Sequence, residues 1–237
     1  SLGYFSEYAG PRLKDTGDNT ASSAWTQLKA KYALNDDTKV FVSHSFLLRQ
    51  EAENADGEKQ DQYQLDDFRV GAERWSSYTK EIKFRNRARF ESASTDNGEV
   101  EDHKNMRLRA SHLVTTTINQ LHAITAVMTL RKWFYNNPTD QEDQSQYELI
   151  PTLAYEYSLA DKFSAYTEYS LGYNQLADKE FTNAQRTWQE LYLGINYTVD
   201  RTLTLGTFAY MGGGPGKEGM HLQDSTKLVI QLSGTIF

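Results

Sequence analysis

Arginine recurs at every second position in Phe84-Arg85-Asn86-Arg87-Ala88-Arg89 and again in Arg107-Leu108-Arg109. A guanidinium presents its donors in a planar fork, so a ladder of them can hand a carboxylate or phosphate from one bidentate partner to the next without a deep trap. Other reactive chemistry is sparse. There is no cysteine, which excludes disulfides, thiol nucleophiles and thiolate metal sites. Ser43-His44-Ser45 and Ser111-His112 place a hydroxyl beside an imidazole. Neighbours in an extended chain point to opposite faces, however, so neither reads as a nucleophile and its base. His103, His122 and His221 are scattered without metal-ligand spacing. The run Asp96-Asn97-Gly98-Glu99-Val100-Glu101-Asp102 has ligand types for a divalent cation, but it lacks the calcium-loop pattern and reads as a solvated loop. Gly212-Gly213-Gly214-Pro215-Gly216 has no following Lys-Ser/Thr and makes no phosphate cradle. These residues predict a non-enzyme without cofactor or metal.

The elements that carry the arginines alternate in polarity with a period of two. Ile82, Phe84, Ala88 and Phe90 share one face while Lys83, Arg85, Arg87 and Arg89 share the other. Thr26, Leu28, Ala30, Tyr32 and Leu34 oppose Gln27, Lys29 and Lys31 in the same way, and Leu191, Leu193, Ile195 and Tyr197 oppose Glu190, Tyr192, Gly194 and Asn196. Twelve such segments are legible, at residues 2–13, 23–34, 38–50, 63–76, 79–93, 103–118, 121–135, 146–158, 162–175, 187–198, 202–213 and 226–237. Pro151 lacks a ladder donor and predicts a bulge in the eighth. Tight turns at Asn35-Asp36-Asp37, Ser77-Tyr78, Asn119-Gln120, Leu159-Ala160-Asp161 and Val199-Asp200-Arg201 take turns with long polar stretches at 14–22, 51–62, 94–102, 136–145, 176–186 and 214–225. The pattern is an up-and-down antiparallel meander with two unlike ends, and the even strand number puts both termini at the short-turn end.

Composition agrees. The chain has 237 residues, 24% charged, and a mean hydropathy of −0.69. No stretch approaches the ~18 apolar residues of a spanning helix, since even Leu121 to Leu130 contains His122, Thr125 and Thr129. The segments are nevertheless long enough to cross a bilayer as tilted strands, which takes ~9–11 residues each. In lipid only a closed barrel pairs every strand backbone group. Tyr4, Tyr8, Tyr32, Tyr155, Tyr157, Tyr169, Tyr173 and Tyr197 lie on the apolar face, mostly toward strand ends, where interfacial girdles sit. A soluble barrel with its apolar face inside is the rival at the level of fold. The opening Ser-Leu-Gly-Tyr-Phe has neither an initiator Met nor a basic-then-apolar leader and reads as a processed chain.

Charge is sorted. The six long stretches hold 18 acids and 5 bases, so a chain of net −7 leaves +6 on its strands and turns. A net acidic chain is not expected to bind nucleic acid. Alternation places Lys29, Lys31, Lys39, Arg49, Arg69, Lys83, Arg85, Arg87, Arg89, Arg107, Arg109 and Arg131 inside segments two to seven, with Asp67, Glu73, Glu81 and Glu91 among them as partial neutralisers. Segments eight to ten present Glu148, Glu156, Glu168 and Glu190, with Glu7 nearby on the first. The expected lumen therefore has a basic wall facing an acidic wall, lined also by Trp25, Phe41, Trp75, Trp133, Tyr166, Tyr192, Phe208 and Tyr210 as stacking surfaces or as filling. If it is wet, it is a path for small polar and anionic solutes. If its acids and bases pair across it, it is plugged.

At this point the chain resembles a bacterial outer-membrane β-barrel along nearly all its length, down to a terminal aromatic, Phe237. It departs from that superfamily where Thr235, Ser233 and Gln231 stand at positions usually apolar, while Ile236, Leu232 and Ile230 carry the apolar register. A bulge near the end of the strand or a weaker assembly signal would account for it. Twelve strands and the arginine runs at Arg85, Arg87, Arg89, Arg107 and Arg109 are also similar to the small monomeric porins for acidic oligosaccharides, the KdgM and NanC type. The resemblance implies a transmembrane barrel in the Gram-negative outer membrane with periplasmic termini and acidic outer loops. Its surroundings would be outer-membrane lipid and lipopolysaccharide, a monomer is favoured, and its function would be passive diffusion of small polar or anionic solutes. The other reading is a closed structural or adhesive barrel acting through its loops. A twelve-stranded barrel can also be an enzyme, like the outer-membrane phospholipases and lipid A deacylases, but the Ser and His pairings above do not supply one.

Overall fold

Strand formation follows the alternation. In a computed structural model the chain forms twelve strands: β1 Leu2–Arg12, β2 Ser22–Ala33, β3 Thr38–Glu53, β4 Lys59–Ser77, β5 Ile82–Ser92, β6 Lys104–Ile118, β7 His122–Tyr135, β8 Ser145–Ala160, β9 Phe163–Leu176, β10 Gln185–Thr198, β11 Leu203–Gly213 and β12 Thr226–Thr235. The structure describes residues 1–12, 22–53, 59–92, 104–135, 145–176, 185–213 and 226–235. Each strand pairs antiparallel with its sequence neighbours, and β1 closes on β12 with Gly3 opposite Thr235 and Tyr8 opposite Ile230. The result is a closed barrel without a free edge, and both described ends of the chain lie at its short-turn rim.

Most of the long acidic stretches, including 96–102 and 214–218, and Phe237 lie outside the described residues. Two strands run further than the apolar pattern. β3 and β4 continue into the polar 51–62 stretch, with Ala52 opposite Gln60 and Glu53 opposite Lys59, because ladder hydrogen bonds need no apolar side chain. The bulge expected at Pro151 is absent. Leu149 faces Tyr173 and Thr152 faces Ser170 in one continuous register, and Pro151 stays opposite Met128 on the other side. β12 also runs without a shift against β11 from Thr226 to Gly234 and against β1 from Val229 to Thr235, so the last strand has no bulge toward its described C-terminal end and keeps Ile230 and Leu232 outward, while its one shift, against β1 at Ala9/Arg12, lies at the long-loop end. Irregularities fall elsewhere, as at His44/Phe46 on β3.

Burial separates the faces. Phe90, Val70, Leu130 and Ile195 are 40–50% exposed on the outer surface, whereas Glu91, Glu73, Asp67 and Arg69, on the alternate phase of β4 and β5, are at most 6% exposed. An inside-out distribution of this kind suits hydrocarbon outside and a polar interior. The eight lumenal aromatics expected from the sequence fall on the inner phase, where Trp188 joins them, and some of these nine rings lie against glycine. Phe208 lies over Gly194, its partner on β10, and Trp188 lies over Gly172 on β9, so closely that a Cβ at either glycine would collide with the ring.

Three of the five short turns use one side-chain device. Asn35 Oδ1 accepts from the N–H of Asp37 (3.0 Å) and Thr38 (2.8 Å). Thr79 Oγ1 does the same for Glu81 (3.2 Å) and Ile82 (3.1 Å). Asp200 Oδ1 accepts from the Thr202 hydroxyl and N–H (2.7 Å each) and the Leu203 N–H (3.0 Å). The Thr202 hydroxyl and these amides hold the Asp200 carboxyl below the ordinary aspartate value. The β6–β7 turn differs, with Asn119 and Gln120 both left-handed at φ 52° and 59°. This is the two-residue hairpin geometry that favours Asn-Gly. Glutamine there carries a Cβ penalty of ~1 kcal/mol. Gln120→Gly is expected to raise the temperature at which the folded barrel loses its heat-modifiable gel mobility, whereas Gln120→Val lowers it.

Candidate functional site

The inner surface of β2 to β7 is a set of cations with carboxylates set between them. Register determines who meets whom. Glu91 on β5 stands opposite Arg69 on β4 and Arg107 on β6. Its carboxylate accepts from Arg107 Nε and from Arg89 Nε two residues away, and lies 3.4 Å from Arg69 Nε. Asp67 Oδ2 accepts from Arg69 Nη2 (2.9 Å) and from Arg107 Nη2. Arg69 Nη1 also donates to the buried Ser45 hydroxyl. Three guanidiniums therefore share two carboxylates. Two inward-facing rows toward the short turns, Glu73 Oε2 accepts from Arg87 Nη2 (2.9 Å) and Nε (3.2 Å), and its Oε1 lies 3.1 Å from Lys31 Nζ. At the far edge Glu148 accepts from Arg131 Nη1 (2.8 Å) on β7 and from Trp188 Nε1 (2.6 Å) on β10.

The aromatics of this half face cations. Lys29 Nζ is 3.9 Å from the centre of the Phe41 ring, and the guanidinium carbons of Arg85 and Arg107 each lie 4.9 Å from the rings of Trp75 and Trp133. Arg69 stands 5.4 Å from Trp25. Such contacts hold guanidinium planes in place at a cost in solvation lower than an ammonium would bear.

Two arginines stand apart from the carboxylates. Arg85 has its indole contact but no ion pair among the described residues, and Arg109 has neither. The Nε of each is buried without a hydrogen-bond acceptor. Arg109 is the middle of an in-register row, Arg89 on β5, Arg109 on β6 and Arg131 on β7, whose outer members are paired with Glu91 and Glu148. Lys83 is exposed at the short-turn rim.

Apart from Glu148, the carboxylates of β8 to β10 and β1 meet neutral donors instead. Glu156 accepts from Ser164, Glu168 from Tyr166, Glu190 from Tyr210 (3.0 Å) and Glu7 from Gln231 (2.8 Å). Tyr166, Tyr192 and Phe208 pack edge to face beside them, with centroids 5.8 and 6.4 Å apart. At the short-turn end a cavity of about 440 Å³, lined by Phe5, Glu168, Glu190 and Tyr192, shares Phe5 with one of about 200 Å³ lined by Lys29 and Lys31. The hydroxyl and imidazole pairings do not form a catalytic dyad. Ser43 and Ser45 are buried inside, whereas His44 packs outside on Phe46 (5.1 Å), and His112 likewise faces outward to Asn86.

All fourteen sequence-predicted basic and acidic residues are thus on the inner phase, and the structure brings Lys31, Arg69, Arg87, Arg89, Arg107 and Arg131 against carboxylates while leaving Arg85 and Arg109 without one. The structure adds Trp188, a half-buried donor to Glu148 whose available signal was an aromatic one position off the apolar register at the start of β10, and it makes Ser45, read above only as a hydroxyl beside His44, a partner of Arg69.

No family model matches the chain, and no curated relative does. Solved structures do. An outer membrane channel from Pseudomonas putida F1 superposes with a TM-score of 0.66 over 98% of this chain and 94% of its own, at 9% identity. The NanC porin gives 0.62 over the whole of both chains at 10% identity, and the KdgM porin, solved in complex with oligogalacturonate, gives 0.54 over 99% of each at 8%. At such identities the likeness establishes the fold alone, a closed antiparallel barrel, and leaves the activity to be argued from the lumen.

Removing the carboxylate shared by three arginines should be costly, because an uncompensated buried charge costs ~3 kcal/mol or more. Glu91→Gln is expected to lower unfolding free energy by about that amount in urea titrations from lipid vesicles. Glu156→Gln, which loses only a hydroxyl partner, should change it by ~1 kcal/mol or less.

Proposed function

We propose that the protein is an outer-membrane channel for passive diffusion of small polar solutes, with a preference for anions, and that its termini face the periplasm. The row Arg89, Arg109 and Arg131 carries this reading. Its outer guanidiniums are held by Glu91 and Glu148, which keeps them extended in place, while the central one has fork donors and no acceptor among the described residues. A mobile carboxylate or phosphate is the chemical complement of that planar fork. Arg85, closer to the short-turn rim and 4.9 Å from the centre of the Trp75 ring, supplies a second fork without an ion pair among the described residues along the same side. The intervening arginines, already paired, add attraction without a deep trap. The carboxylates of β8 to β10 oppose them, so a solute with both charges would be oriented across the lumen. The fold shared with porins supports the channel reading.

A closed barrel acting through its loops is the second reading, and the buried ion pairs around Glu91 are the observation in its favour. Single-channel recording in planar bilayers separates the two. The wild type should conduct and favour chloride over potassium. The Arg85→Ser, Arg109→Ser double variant should lose most of that preference while conducting at least as well, because it removes two cations that hold no structural carboxylate. Absence of conductance from a barrel with intact heat-modifiable folding would overturn the channel and leave the loops as the seat of function.

A further inference from the structure

The outer surface is not uniformly apolar. One ladder row on it reads Thr38, Arg74, Asn86, His112, Met128 and Pro151 from β3 to β8, each opposite the next. Two outward cavities follow this row. One, of about 500 Å³, is floored by Ala72, Ala88 and Ala110 and bordered by Arg74, and the other, of about 350 Å³, ends at Pro151 and Leu171. Both are lined by His112 and Met128, so they form one continuous groove.

Its course across the membrane follows from strand geometry. A strand tilted by ~45° climbs ~2.3 Å per residue. Arg74 is three residues from the short-turn end of β4, His112 six from that of β6, and Pro151 nine from that of β8. The groove therefore starts about 7 Å above the rim, passes His112 at about 14 Å and reaches about 20 Å, well inside an apolar band of ~25 Å. Its head is cationic and its far end is hydrocarbon.

We infer that this groove holds one glycerophospholipid with an anionic headgroup, drawn from the leaflet at the short-turn end. Arg74 is exposed and can extend its guanidinium toward the rim. The nearest carboxylates, Asp36, Asp37 and Glu81 in the exposed short turns, make no ion pair with Arg74 among the described residues, and none stands on the outward face of β5 to β9, so its complement in the membrane is a phosphate from the bilayer. Deeper in the groove, His112 Nδ1 donates to Asn86 Oδ1 (2.6 Å), with the imidazole stacked on Phe84 (5.9 Å). That leaves the Asn86 amide N–H groups as donors at the depth where ester carbonyls lie. Polar groups facing hydrocarbon without partners are costly, and the esters satisfy them. An acyl chain then lies over the three alanines toward Pro151, where only hydrocarbon is available as solvent.

The inference rests on the barrel crossing a membrane and not on the lumen conducting, so it can fail while the channel stands. The test is native mass spectrometry of the full chain released from detergent after incubation with dioleoyl phosphatidylglycerol, dioleoyl phosphatidylethanolamine or lipid A. One phosphatidylglycerol per barrel should survive activation that strips phosphatidylethanolamine. Arg74→Gln should weaken its binding about tenfold and erase the headgroup preference. Ala110→Leu, which fills the groove and keeps the surface apolar, should reduce retention of both phospholipids, and Ala88→Leu provides the same test should that variant misfold. Equal retention by wild type and variants, or statistical adducts only, would overturn the site. Preferential retention of lipid A through Arg74 would overturn the choice of occupant.

Discussion

Closure of the ladder between β1 and β12 is the constraint on which everything else depends. A sheet surrounded by hydrocarbon cannot leave a row of N–H and C=O groups unpaired. The chain therefore returns to its first strand, with Gly3 beside Thr235. Once the sheet is closed, the period of two becomes a rule of inside and outside. Phe84, Ala88 and Phe90 must face out, and Arg85, Arg87, Arg89 and Glu91 between them must face in. The charge that makes the chain hydrophilic is thereby confined to one narrow space.

Confinement explains the residue types found there. Guanidiniums bear partial desolvation better than ammoniums, and they have planar faces for Trp75 and Trp133 as well as forks for Glu91 and Asp67. Lysine is used nearer the rim, as at Lys29, Lys31 and Lys83. The β8 to β10 side solves the same difficulty differently, by giving Glu168 and Glu190 phenolic donors instead of cations. One side is thus neutralised largely within itself, while the other carries carboxylates with neutral partners. This asymmetry is what the proposed channel would use.

Outward exceptions carry as much information as the rule. Asn86 and His112 break the apolar register of β5 and β6, yet they sit on one ladder row with Arg74, along a groove cut by small side chains. Polar residues scattered at random would be a burden on stability. Aligned from the rim toward the membrane interior, they match a lipid in the order of its parts.

Face assignment was legible from the amino-acid order because it is local. Which way Arg87 or Glu148 points depends only on counting by twos from a neighbour, and the strand count and the alternation of short turns with long stretches followed from the same periodicity. Pro151 misled because an isolated donor loss is read as a bulge, whereas here its ladder position keeps register on both sides. Pairing was not legible at all. Whether Arg89 or Arg109 meets Glu91, and why Trp188 rather than a cation shares Glu148 with Arg131, depends on the stagger between strands up to forty residues apart in the chain. The order of residues was enough to separate a charged face from an apolar one and to favour a closed barrel with its charges inside over a soluble barrel of the opposite sense. Which of those charges are spent on one another was settled only in three dimensions, because inter-strand register is set by closure of the whole ring and not by any segment of it.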